Sequence, residues 1–456
     1  MKTKFFLFLL LVVATQMKAN NMLVKNVTTT GNNATNKTIQ VQFDMSWDNS
    51  WRDGINWDAA WVFMKFKNAN GLWQHVQLNT SGFANGTGTA NTIQVGSDKV
   101  GAFVYRSAIG TGTFASTSMQ LQWNYGLSGL TSVTGLEVRV FAVEMVYVPE
   151  GEFNCAKAFN NSTAAQVQYK SFTAPGTNFP VINNRLSPSL TYNDGATATI
   201  RIKGDAGIDS DNNGILDNTT YPIGYRAFYC YKYELTEQQY ADFLSTLTSS
   251  QIATLGIAGS NITINNGQYF TSTPNRACGN STEARLLAYA DWSCLRPMSF
   301  LEFNKVSYGP IQPRYCEGSC EYHTIIAKGY PANGLGYSGC NYGIGGTTPQ
   351  LVDVGSFATA TSDRRQSGAS YYGVLDLTGN SHEPVVKMNY FSYQNTNGNG
   401  ILATSGYADV INWNSSGMIT YIDMIHNFHN VNLNTCYNTF VFHPAKYGFR
   451  YVRSAE

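Results

Sequence analysis

Residues 38–45 of this chain alternate in polarity, with Ile39, Val41, Phe43 and Met45 on one side of an extended backbone. A period of two is the signature of a strand with one face in a core. Residues 60–66, 72–78, 116–123 and 136–143 repeat the pattern, separated by clusters of Gly, Asn and Thr. No helical period interrupts them between residues 20 and 142. Short alternating runs with turn signals between them predict an all-β sandwich over residues 20–142.

From Glu144 onward the character changes, and three short helices can be placed by their caps. Thr236 and Gln239 form a capping box before a helix over 238–247, whose Tyr240, Phe243 and Leu244 share one face. Ser281 precedes a second helix over 284–292. Ser299 and Glu302 form another capping box before a helix over 300–305. The rest is rich in Gly, Asn and Tyr, with short strands and long loops. Loops of that length stay ordered when disulfides or ions tie them down. The predicted fold class is therefore α+β: an all-β sandwich followed by a second domain over 143–456 with little regular structure.

The first 19 residues read as an export signal. Lys2 and Lys4 supply a positive start, residues 5–14 an apolar run too short to anchor a span, and Ala19 a small residue for cleavage. No cysteine follows Ala19, so a lipid anchor is not expected there. No later segment is long and apolar enough to cross a membrane, and the expectation is a soluble protein outside the cytoplasm or held at a cell surface. The hydrophobic fraction of 43% suffices for real cores, while charged residues make up only 13%. Soluble domains usually carry about 25% charge. Polar uncharged residues fill the difference, as on secreted β-rich surfaces. A net charge of +1 gives no case for nucleic acid or an acidic membrane as partner.

Eight cysteines, Cys155, Cys230, Cys278, Cys294, Cys316, Cys320, Cys340 and Cys436, all lie in the later part of the chain. In an exported chain the default expectation is disulfides. The pairing is open, since eight cysteines allow about 105 connectivities. Cys316 and Cys320 flank a Glu-Gly-Ser turn and suit a small closed loop. Zinc is the weaker alternative, because no second ligand pair follows at the usual spacing.

Five segments, in order, resemble the formylglycine-generating (sulfatase-modifying factor) family. Residues 144–153 look like its opening strand. Residues 228–236, leading into 239–244, are similar to its strand–helix signature. Residues 288–292 and 296–303 resemble its next helix pair, 373–380 its Gly-Asn segment, and 448–450 its terminal Gly-Phe-Arg. The resemblance covers 144–456 and implies a complex C-type-lectin-like fold. The part before it also looks like the β domain that precedes this fold in many secreted Bacteroidota proteins.

Calcium is the expected cofactor, at two places. Asp209, Asp211, Asn213 and Asp217 stand at the first, third, fifth and ninth positions of a calcium loop, Gly214 at the sharp turn, and Ile215 offers a backbone carbonyl. A hard cation needs several oxygens converging from a short turned segment, which this pattern supplies. Thr220 replaces the usual closing Glu, so a further ligand must come from elsewhere. The plain alternative is an Asp/Asn-rich surface turn. The second place is implied by the resemblance: Asp376 and Glu383 as carboxylates, with Gly379 and Ser381 giving carbonyls. There the alternative is that both carboxylates cap turns.

Catalytic residues are not expected. The family's oxidase holds copper(I) between two cysteines shortly before the terminal Gly-Phe-Arg, and thiolates suit that ion. Beyond Asn380 this chain has only Cys436. His382-Glu383-Pro384 stands where the family has Trp-Glu, the family's next strand is replaced near residues 418–424, and its following arginines are absent until Arg450. His426, His429 and His443 lie close in sequence, but with Asp423 the one nearby carboxylate they read as ordinary imidazoles. Trp47, Trp51, Trp57 and Trp61 admit a sugar-stacking platform, although large aromatics in a small β domain are mostly core. Three readings follow: a non-catalytic surface protein on a calcium-tied scaffold, a copper-dependent oxidase of protein cysteines, and a carbohydrate binder. The expected partner is a protein or glycan at the cell surface, with self-assembly open.

Overall fold

The alternation of residues 38–45 belongs to a 15-residue strand, and the described residues are built mostly of antiparallel sheet with a smaller helical share. The computed structural model describes residues 21–154, 220–310, 351–356, 358, 369–377, 380–387, 393–413, 417–422 and 447–456, with the pieces 181–182, 192–193 and 199–200 between them. The first strands are β1 (Leu23–Asn33), β2 (Thr38–Arg52), β3 (Asp58–Lys67), β4 (Trp73–His75), β5 (Thr87–Gly88), β6 (Asn91–Val95), β7 (Ala102–Arg106), β8 (Gly110–Asn124) and β9 (Glu137–Val148). Two small ladders follow, β10 (Phe153–Asn154) with β11 (Val181–Ile182), and β12 (Tyr192–Asn193) with β13 (Thr199–Ile200). Then come β14 (Phe228–Tyr231), α1 (Glu237–Leu244), α2 (Ser249–Leu255), the hairpin β15 (Ile262–Asn265) and β16 (Gln268–Thr271), α3 (Glu283–Trp292), β17 (Arg296–Pro297) and α4 (Phe300–Tyr308). The chain closes with β18 (Glu383–Val386), a 3-10 turn at Ile411–Trp413, β19 (Ile419–Ile422) and β20 (Tyr451–Ser454).

Two sheets organise these strands. One has four strands in the order β1-β2-β8-β5; the other has eight, in the order β17-β20-β14-β9-β3-β7-β6 with β4 paired to β3. Both sides of β3 are buried, which explains its nearly unbroken apolar sequence. Its Ala60, Val62, Met64 and Phe66 join Val41, Phe43, Met45 and Trp47 of β2 and Leu121 and Trp123 of β8 in one core. Ala59, Trp61 and Phe63, on the opposite face, join α1, α3 and α4 in a second and larger core. Layers covered on two faces need apolar residues at successive positions, and β3 has them.

The larger sheet runs straight through the boundary expected at residue 142, which falls inside β9. β9 pairs with β3 on one side and β14 on the other, and β20, from the end of the chain, lies between β14 and β17. Buried donors reinforce the join. Trp61 Nε1 donates to the Ser293 carbonyl at 2.9 Å, and Lys65 Nζ donates to the carbonyls of Trp292 and Gly400 at 2.7 and 2.6 Å. Asn56 Nδ2 reaches the Tyr372 carbonyl at 2.7 Å.

The capping signals place the helices well. Thr236–Gln239 and Ser299–Glu302 both form reciprocal capping boxes, at α1 and α4. The cap of α3 is Thr282, one residue past the expected Ser281. A third box, Thr248–Gln251, starts α2, a helix the sequence reading left out despite the same signature.

Candidate functional site

Three of the segments singled out by sequence meet at one buried cluster. Glu234 lies between β14 and α1, Asp376 and Glu383 lie on either side of the Gly-Asn pair in sequence, and Arg450 immediately precedes β20. All four side chains are buried. Arg450 donates from Nε and Nη2 to Glu383 Oε1 at 3.0 and 2.8 Å. Its remaining donors reach the carbonyls of Tyr231 (3.1 Å), Leu375 (2.9 Å) and Asp376 (3.2 Å). Glu234 accepts from the Ser381 amide at 2.7 Å, the Ser381 hydroxyl at 2.6 Å and Asn380 Nδ2 at 2.5 Å. Asp376 Oδ2 accepts from the Gly355 amide at 2.5 Å.

Backbone geometry makes this convergence possible. Asp376 and Asn380 adopt positive φ, +56° and +54°, so the chain turns sharply on either side of Leu377. Asp and Asn are among the few side chains that tolerate this region. Electrostatically the cluster is unbalanced, since three buried carboxylates face a single guanidinium among the described residues. Burial, then the charges of Glu383 and Asp376, hold the Glu234 carboxyl well above its usual range. Burial also pushes Asp376 up to about 6, against the opposing pull of the Gly355 amide and Arg450. Protons relieve such an excess of negative charge, and so does a divalent cation.

The calcium residues inferred from the resemblance are thus partly gathered. Asp376, Ser381 and Glu383 are neighbours in this cluster, while Gly379 lies outside the described residues. Among the described residues no three His, Cys, Asp or Glu side chains are arranged to hold a metal by themselves. A cation here needs backbone carbonyls as well, as the resemblance implies for Gly379 and Ser381. The other set, Asp209, Asp211, Asn213, Ile215 and Asp217, lies outside the described residues, as do His426, His429 and His443. Sequence reasoning missed Glu234 and the pairing of Arg450. Both sit inside quoted motifs, but nothing in the sequence says that Glu234 accepts from Ser381, 147 positions on, or that Arg450 pairs with Glu383, 67 positions back.

Cys230, Cys278 and Cys294 are buried free thiols, so the expectation of disulfides does not hold for them. Cys155, Cys316, Cys320, Cys340 and Cys436 lie outside the described residues. Cys294 Sγ lies 3.4 Å from His75 Nε2. Burial pushes the Cys294 thiol up to about 12 and the His75 imidazole well below its usual value, so the pair is a neutral contact.

Trp51 and Trp57 are half-buried, whereas Trp47 and Trp61 are core. The Trp57 ring stacks on Tyr147 at 4.0 Å and 7°, and the Arg52 guanidinium lies 4.4 Å from its centroid. A parallel stack occupies one face and the guanidinium the other, so Trp57 has no free face for a sugar. A cleft of about 310 Å³ opens between 220–227 and 394–396. Its floor includes the Arg296–Glu302 pair, bidentate and buried, and Arg226 stands exposed at its lining. Among the described residues the lining contains no cysteine or histidine.

No protein-family model matches the sequence, and no curated protein matches it.

Proposed function

We propose that this is an exported, non-catalytic binding protein: a β-sandwich joined to a calcium-stabilised domain of the formylglycine-generating type, presenting its loops to a protein or glycan at a cell surface. The observation that carries this reading is the state of the thiols. Burial pushes Cys230 up to about 12 and raises Cys278 well above its ordinary value, as it does Cys294. A copper(I) oxidase needs two accessible thiolates. Each described cysteine is instead a protonated thiol packed in the core, and Cys436 is the sole cysteine after Asn380. The direct test incubates the mature protein with copper, oxygen and a sulfatase-type cysteine peptide. No aldehyde is expected by mass; turnover that vanishes in Cys436→Ser would restore the oxidase.

Calcium enters the proposal as a stabiliser. At the second site, Asp376 and Glu383 would be the carboxylate ligands, beside the carbonyls of Gly379 and Ser381. The excess of negative charge around Arg450 supports this, because a divalent ion offsets what one guanidinium leaves. The Asp209–Asp217 loop is the other proposed site. A ligand that binds only the folded state, present at a hundredfold its dissociation constant, adds about 2.7 kcal/mol. Thermal melts with calcium are expected to run higher than melts with chelator, and Asp376→Asn is expected to shrink the gap. Superimposable curves would remove calcium from the proposal.

A further inference from the structure

Where β2, β3, β9 and β14 meet, two carboxylates share one ammonium. Asp58 opens β3, Glu144 lies on β9, and Lys232 directly follows β14. Their side chains are 0%, 1% and 4% exposed, so the group has left water almost entirely. Lys232 Nζ lies 3.2 Å from Asp58 Oδ2, 3.0 Å from Glu144 Oε2 and 3.4 Å from the Asn49 carbonyl. The two acids are not equivalent. Asp58 also accepts from Trp47 Nε1 (2.9 Å), Ser50 Oγ (3.0 Å) and the Trp51 amide (2.9 Å), so both its oxygens are committed as acceptors. Glu144 Oε2 accepts only from Lys232, and its Oε1 has no hydrogen-bond partner among the described residues.

We propose that Glu144 is a proton-operated lock on this seam, closed when the carboxyl is neutral and loosened when it ionises. With Glu144 neutral, the Lys232 and Asp58 charges cancel. With Glu144 ionised, a net negative charge sits in a dry interior with one carboxylate oxygen unmet, which is costly. The other titratable groups facing the site are Asp48, which repels the second negative charge, and Tyr233, whose ring lies 5.5 Å from Lys232 Nζ. Burial, opposed by Lys232 and reinforced by Asp58 and Asp48, pushes Glu144 from its ordinary 4.5 up to about 7. The lock spans the two halves of the protein, because Asp58 is held by β2 while Lys232 belongs to the segment leading to Glu234 and α1.

The sign follows from linkage. A carboxyl whose folded-state value is raised binds more protons folded than unfolded, so its contribution is complete below about 4.5, falls as pH rises towards about 7, and levels off above. Between pH 5 and pH 8 this one group lowers the folding equilibrium constant by roughly 50- to 100-fold. The test is chemical denaturation of the full chain across that range at fixed calcium, for the wild type and for Glu144→Gln, which mimics the neutral acid. The variant is expected to lack that part of the decline and to be the more stable of the two at pH 8. Equal pH slopes would overturn the lock, as would a variant less stable than wild type at pH 8 or one that does not fold at pH 5.

Discussion

Replacing Arg450 with methionine is expected to cost about 3–5 kcal/mol of stability, the range for breaking a buried ion pair from one side. The guanidinium is fully buried and holds Glu383 together with the carbonyls of Tyr231, Leu375 and Asp376. Methionine fills much of the volume but donates nothing. Glu383 then loses its guanidinium in a site where it and Glu234 already repel each other. Arg450→Lys keeps the charge, but a compact ammonium cannot reproduce a planar fork reaching four groups, so it should fall between wild type and methionine. Urea denaturation at pH 7 measures both. Adding Glu383→Gln to Arg450→Met should recover part of the loss, because the stranded charge is gone. A methionine variant within about 0.5 kcal/mol of wild type, the scale of an ordinary surface substitution, would show that the pair does not hold the cluster.

The same residues show what was legible in the sequence. The period-two strands and the capping boxes were readable because each is local: side-chain direction along a strand, or a hydroxyl three residues from its amide, needs no distant partner. The strand over 136–143 was therefore found, and the resemblance implied another over 144–153, but not that one strand runs through to Val148 with β14 as its neighbour. That neighbour comes from chain 80 to 86 residues later, and with it the sheet that crosses the expected domain boundary. The edge strand β1 was missed for the opposite reason. It is largely exposed and bulged, with Asn26 and Gly31 at positive φ, so no clean alternation marks it. At the site, Asp376 and Glu383 were named through a resemblance, whereas the roles of Glu234 and Arg450 became visible only when three segments of chain were brought together.

Gly448→Ala is expected to be strongly damaging, with a loss of about 3 kcal/mol or more, at or beyond the upper end of overpacking effects. The backbone at Gly448 is not left-handed, so conformational freedom is not the reason for glycine here. Space is. A Cβ at this position would overlap the Ser381 hydroxyl, stand 2.7 Å from Ser381 Cβ and 3.2 Å from the His382 carbonyl oxygen. The Gly448 amide also donates to that carbonyl at 3.1 Å, so the two strands of chain cannot simply part. Ser381 is held in turn, since its hydroxyl and amide both donate to Glu234. The terminal Gly-Phe-Arg therefore docks by glycine against Ser381 and by arginine against Glu383, two residues apart on each side. If the clash is the cause, Ser381→Gly, itself destabilising through the lost hydroxyl bond to Glu234, should largely cancel the further cost of Gly448→Ala. A double-mutant cycle by chemical denaturation measures this, with an expected favourable coupling of about 1–3 kcal/mol. Additive losses would mean that Gly448 is needed for the backbone path itself rather than for room beside Ser381.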